Sequence, residues 1–82
     1  MRYQIEFLPV ALAQLRALPR DTWRLIGGKI DRLQEDLAAD VKKLKGFKNK
    51  YRLRAGNYRV LFELEGGMIV VYDVGDRKDI YE

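Results

Sequence analysis

The predicted fold class is α+β, an antiparallel helix hairpin packed on a mostly antiparallel four-stranded sheet in the order β-α-α-β-β-β. Three observations predict it. Residues 2–8 alternate polar and apolar side chains, the period of a half-buried strand. Residues 8–18 and 21–37 place apolar side chains three and four apart, the period of helices with one buried stripe. Residues 49–54, 57–65 and 68–74 read as three further strands, separated by turn-forming residues.

In the first strand Tyr3, Ile5 and Phe7 share one face, while Arg2, Gln4 and Glu6 share the other. Pro9 suits the first turn of a helix, where a missing N–H costs nothing. Leu8, Ala11 or Leu12, Leu15 and Leu18 continue that helix until Leu18-Pro19, because a residue before proline is pushed out of the α region. Asp21 is the expected N-cap of a second helix. Its stripe is Trp23, Ile26, Ile30, Leu33 and Leu37, with Asp31, Glu35 and Asp36 off it. Gly27-Gly28 costs about 1 kcal/mol per glycine against alanine, and a close approach by the first helix is the expected reason. Leu44 and Phe47 are expected to anchor the following connection to the core. Ala55-Gly56-Asn57 and Gly66-Gly67 supply tight turns for two antiparallel hairpins, and Gly75-Asp76 ends the last strand.

Eighty-two residues suffice for one domain, spanning 1–82. No apolar run reaches the roughly 20 residues that span a bilayer, and residues 1–7 lack the apolar region of a secretion signal. A cytoplasmic location without membrane contact is therefore expected. The chain has no cysteine and no histidine. That excludes disulfides, thiolate metal sites, Cys/His and Ser/His/Asp catalysis, and an imidazole base. The acids are scattered, so two-metal hydrolysis is unattractive, and no metal or cofactor is expected.

Charge is concentrated in one place. Residues 42–59 hold eight of the sixteen Lys+Arg and none of the twelve Asp+Glu, so the stretch carries +8 and the rest of the chain −4. Such asymmetry is the footprint of a polyanion partner, most often nucleic acid, although an acidic protein also fits. Strand parity sharpens it. Lys50, Arg52 and Arg54 point to one side of their strand, and Tyr51 and Leu53 to the other. In the next strand Tyr58, Val60, Phe62 and Leu64 form the apolar set, which puts Arg59 on the same face as the three cations. The competing explanation is a solvated basic face balanced by Glu63 and Glu65, which share the parity of Arg59. Lys42, Lys43, Lys45, Lys48 and Arg54 are candidate RNA-binding residues. Among the aromatics, Tyr51, Tyr58 and Tyr72 belong to the core by parity, which leaves Tyr81 for base stacking.

Such a face can still do chemistry. An RNA 2′-OH can attack its own phosphate, so the protein need only align the backbone, stabilise charge on the phosphorus oxygens and handle two protons. Arg52, Arg59 and Arg77 can stabilise the charge, and Lys50, crowded by arginines, is a conceivable proton carrier.

The segment LKGFKNKYRLRAGNYRVLFEL and the ending VYDVGDRKDIY resemble the RelE/ParE superfamily of bacterial toxins, as do the element order and length. The resemblance spans nearly the whole chain. It implies a toxin neutralised by a cognate antitoxin, and the superfamily contains both ribosome-dependent mRNA endonucleases and poisons of DNA gyrase. By resemblance to the nuclease branch, Lys50 and Arg52 fall on its basic catalytic positions, Arg59 on the phosphate-binding arginine, Arg77 on the arginine near the C-terminus and Tyr81 on the terminal tyrosine. The activity then implied is metal-independent cleavage of mRNA in the ribosomal A site, to a 2′,3′-cyclic phosphate and a 5′-OH. The alternatives are a gyrase inhibitor without nuclease activity and a non-enzymatic RNA-binding module. Three features depart from the nuclease pattern. Arg52 stands where the best-known type has lysine, Asp76 stands where many relatives have histidine, and the Arg77-to-Tyr81 spacing is shorter.

Overall fold

The computed structural model describes residues 3–34 and 40–80. The elements are β1 (Gln4–Phe7), α1 (Pro9–Arg16), α2 (Arg20–Leu33), β2 (Val41–Lys43), β3 (Lys50–Ala55), β4 (Tyr58–Glu65) and β5 (Met68–Asp76). They form one sheet of five strands in the order β1-β5-β4-β3-β2. β1 runs parallel to β5, and the other three pairings are antiparallel. The α+β class holds, and the sheet gains one strand over the four expected. The addition is β2, a three-residue edge strand whose partners are Val41↔Leu53, Lys42↔Arg52 and Lys43↔Tyr51. A run of two lysines with one valine has too little alternation to announce a strand.

The hairpins close as their glycines dictate. Gly56 and Gly66 begin the turns with φ of 60° and 59°. A left-handed residue at the first turn position is what a II′ hairpin needs to match the strand twist. β5 carries an irregularity: Leu61 faces Asp73 and Phe62 faces Val71, so Tyr72 is extra. The cause is legible in the apolar spacing. Ile69, Val71 and Val74 are all buried, and the three-residue step from Val71 to Val74 stays on one face only if a bulge absorbs a residue.

The core lies between this sheet face and the helices. Ala11 and Leu15 of α1 and Ile26, Ile30 and Leu33 of α2 cover Leu53, Val60, Phe62, Ile69, Val71 and Val74. Tyr51 stacks on Phe62 with ring centroids 5.5 Å apart, and Tyr58 packs against the same cluster, as parity predicts. Pro9 starts α1 as expected. α2 begins two residues earlier than a cap at Asp21 requires: Pro19 is its N-cap, and Asp21 lies in the first turn, where its charge complements the helix dipole.

Two expectations about α2 fail. Trp23 is 47% exposed, because it lines an open groove and not the closed core. A methyl group added at Gly27 or Gly28 would meet nothing within 4 Å, so no close helix approach explains the glycine pair. The glycines instead line an open groove of about 640 Å³ between α1, α2 and β1, with Ile5, Phe7, Leu12 and Trp23. Leu37, Glu35, Asp36 and Arg2 lie outside the described residues. No helix among the described residues is long and apolar enough to cross a membrane.

Candidate nucleic-acid interface

The register of β2, β3 and β4 places the predicted cations together on the sheet face away from the helices. Lys50 pairs with Glu63, Arg52 with Leu61 and Arg54 with Arg59. Lys42, opposite Arg52 on β2, joins them, whereas Lys43 pairs with Tyr51 and takes the other parity. Lys45 and Lys48 are exposed in the β2–β3 loop. From Lys50 to Arg54 the face extends about 13 Å, four residues at the rise of a strand.

Its middle is not open. Leu61 is 4% exposed and packs with Leu44, Ile80 and Tyr72 in a second apolar cluster. Leu44 thus anchors its connection, but to this cluster and not to the main core. Tyr72 belongs here too: it alternates with the buried Val71, and the bulge beyond it returns Val74 to the core. Ile80 can lie flat on β5 because residue 75 is glycine: an added Cβ would stand 3.3 Å from two Ile80 carbons. The cations therefore ring an apolar plug.

At one end of the ring, Lys50 Nζ lies 3.8 Å from Glu63 Oε1. The same ammonium sits 4.6 Å from the centre of the Phe47 ring and 5.2 Å from that of Tyr72. Phe47 is 47% exposed, so it is a wall for Lys50 and not a core anchor as expected. Burial pushes the Tyr72 phenol above its ordinary value of 10.0, and the Glu63 and Asp73 carboxylates push it further the same way. The bulge that aims Tyr72 is held by Gln14 of α1. β1 leaves the sheet after Leu8 N–H donates to Val71, and the Gln14 amide takes over its role. Gln14 Oε1 accepts from Val74 N–H at 2.9 Å and Nε2 donates to Asp73 at 3.0 Å.

At the strand edge, Lys42, Arg52, Arg54 and Asp40 line a polar hollow of about 270 Å³. Asp40 Oδ1 lies 3.7 Å from the Arg54 guanidinium, and its other oxygen pairs with Lys29 of α2. The Lys29 hydrogen bond and charge, with Arg54 adding to them, hold the Asp40 carboxyl below its ordinary 3.8. At the far end Arg59 donates to the Gly56 and Tyr58 carbonyls at 3.1 and 3.0 Å. Arg77 is exposed beside it, its N–H donating to Asn57 at 2.8 Å across the hairpin end. Asp76 accepts from Lys78 N–H at 2.9 Å, a turn role. Tyr81 lies outside the described residues.

The arrangement offers spaced cations for phosphates and, at Lys50 and Glu63, a carboxylate beside an ammonium. Among the described residues no three His, Cys, Asp or Glu side chains converge. Glu63 had been visible in the sequence only as a counter-charge. Its place beside Lys50 depends on the β3–β4 register, which alternation leaves open to a two-residue shift.

Residues 5–81 match the family described as the ParE toxin of type II toxin–antitoxin system, parDE. Over 47 residues the chain is 49% identical to "Toxin RelE3" of Methanocaldococcus jannaschii, a match that covers 57% of this chain and 53% of that protein. The matched stretch thus spans about half the length of this curated relative. The toxin fold also matches solved structures. The RelB–RelE antitoxin–toxin complex of Methanococcus jannaschii aligns with a TM-score of 0.78 and 34% identity, over 92% of this chain and 93% of that one. The archaeal RelE–RelB complex of Pyrococcus horikoshii OT3 aligns with a TM-score of 0.81 and 25% identity, over 98% and 100%. The chain belongs to the RelE/ParE superfamily, within the family of ParE toxins of type II toxin–antitoxin systems.

Proposed function

We propose that this chain is a toxin that cleaves mRNA in the ribosomal A site and so arrests translation in the cytoplasm, and that a cognate antitoxin neutralises it. One observation carries the reading: Lys42, Lys50, Arg52, Arg54 and Arg59 share a sheet face, with Arg77 at its end. Phosphates spaced along a single strand fit such a face. Arg59 and Arg77 hold the scissile phosphate, and Arg52 stabilises charge on its non-bridging oxygens. Lys45 and Lys48 contact the backbone further out, and Tyr81 stacks on a base. The reaction is metal-independent attack by the RNA 2′-OH, which leaves a 2′,3′-cyclic phosphate and a 5′-OH. The ribosome supplies much of the alignment, which suits a face poor in groups that carry protons. The antitoxin covers the helices and sheet and neutralises part of the basic face.

A second reading, a toxin directed at DNA gyrase without RNA chemistry, draws on the ParE family match. Pulse labelling after induction separates the two. The nuclease reading predicts that protein synthesis stops first and that Arg59→Ala and Arg77→Ala abolish the arrest. DNA synthesis stopping first, with mRNA intact, would select the gyrase reading.

A further inference from the structure

An ion pair at the exposure of Lys50 and Glu63, whose side chains are 30% and 31% accessible, does little for stability. Its surroundings suit chemistry better. Phe47 and Tyr72 wall the ammonium, and Arg52 stands next along β3 on the same face. From β3, Lys50 and Arg52 face Glu63; from β5, Tyr72 does. Glu6 of β1 lies in the same cross-strand row beyond Val70, and Glu65 follows on its own strand.

Cleavage through the 2′-OH needs one group to take a proton and another to give one. Guanidinium groups stay protonated and can do neither, and the chain has no histidine. Asp40 is committed to Lys29 and Arg54, and Asp76 to its turn. Tyr72 keeps its proton, because burial and two carboxylates disfavour the phenolate. Asp73 receives the Gln14 amide. Among the described residues, Glu63 is the carboxylate of this face paired with Lys50, the one as acceptor and the other as donor.

We propose that Glu63 is the general base of the cleavage reaction, with Lys50 as its paired general acid. The proposal rests on the nuclease reading. Glu63 accepts the proton of the 2′-OH as the 2′-oxygen bonds to phosphorus. The bond from phosphorus to the 5′-oxygen breaks, and Lys50 delivers a proton to that oxygen. A neutral acid and a neutral amine remain side by side, and the proton returns across the 3.8 Å gap, directly or over one water. No co-reactant is consumed. The gap is of the same order as the separation of the entering and departing oxygens across one phosphorus, so the two groups can serve both at once.

The test is single-turnover cleavage of ribosome-bound mRNA by the wild type, Glu63→Gln, Glu63→Asp, Lys50→Gln and the Lys50→Gln/Glu63→Gln double variant. Ribosome binding and thermal melting are measured alongside. Glu63→Gln should bind ribosomes normally, slow cleavage by about 100-fold or more and lose the acidic limb of the pH–rate profile. Glu63→Asp should recover part of the rate. The double variant should be little slower than either single, because the pair acts as a unit. The proposal is overturned if Glu63→Gln cleaves within about threefold of wild type, or slows without any change in the profile. If Glu63→Gln fails to fold, Glu63→Asp and Lys50→Gln carry the test, and an unchanged profile in both overturns it. A wild type that leaves mRNA intact would instead bring down the nuclease reading itself.

Discussion

Arg54 and Arg59 face each other directly across β3 and β4, and their guanidinium groups part to opposite ends of a like-charge pair. Arg54 leans towards Asp40 at 3.7 Å, while Arg59 curls onto the Gly56 and Tyr58 carbonyls. Directly opposed like charges cost a sheet roughly 0.2–1 kcal/mol, which the contacts of Arg54 with Asp40 and of Arg59 with two carbonyls offset.

Arg59→Ala should therefore separate stability from function. Relief of the like-charge repulsion offsets the loss of its hydrogen bonds to the Gly56 and Tyr58 carbonyls, so the melting temperature should change little. Cleavage should fall by about 10²–10³-fold, the effect of deleting one charge-stabilising donor. Melting curves and single-turnover rates on the same preparation check both halves.

Gln14 offers a test of how the face is aimed. Gln14→Ala strips Val74 N–H and Asp73 of their partners, and a part-buried polar group left unpaired costs about 1–3 kcal/mol. Urea denaturation should show a loss in that range. Because the bulge is freed, the Lys50–Tyr72 contact should loosen, and cleavage should drop more than for a surface substitution of equal stability cost.

Gly28→Ala should do the opposite. The position is helical and open, with nothing within 4 Å of an added methyl, so the gain is about 0.5–1 kcal/mol from reduced freedom of the unfolded chain. A raised melting temperature with unaltered cleavage is expected.

Acid stability should depend on Asp40. Its carboxyl titrates below the ordinary 3.8 in the folded chain, so the unfolded state binds the proton first as pH falls. The contact's contribution is complete above the ordinary value and is lost as pH drops through the lowered one. Asp40→Asn should flatten that acid-side fall in melting temperature while leaving the shape of the neutral range unaltered.

Much of this site could be read from alternation alone. Once Val60 and Phe62 are assigned to the core, Arg59 must join Lys50, Arg52 and Arg54, and the register agrees. Features set by contacts between distant segments could not be read so. Leu61 looks like a misplaced apolar residue on a polar face until Leu44 and Ile80 arrive to cover it. Tyr72 shares the sequence parity of the core residue Val74, but the bulge between them puts the two on opposite faces. Phe47 has the character of a core residue, yet its neighbour is an ammonium. The Gly27-Gly28 pair suggests a tight crossing and instead lines a groove. β2 exists because β3 offers it an edge, which its own three residues do not reveal.

The most direct measurement is a primer-extension map of a reporter mRNA translated in vitro with the purified protein, with and without ribosomes, and with Arg59→Ala as control. The nuclease account predicts new 5′ ends inside codons that appear only with ribosomes and vanish in Arg59→Ala. Intact mRNA at protein concentrations that arrest growth would contradict it.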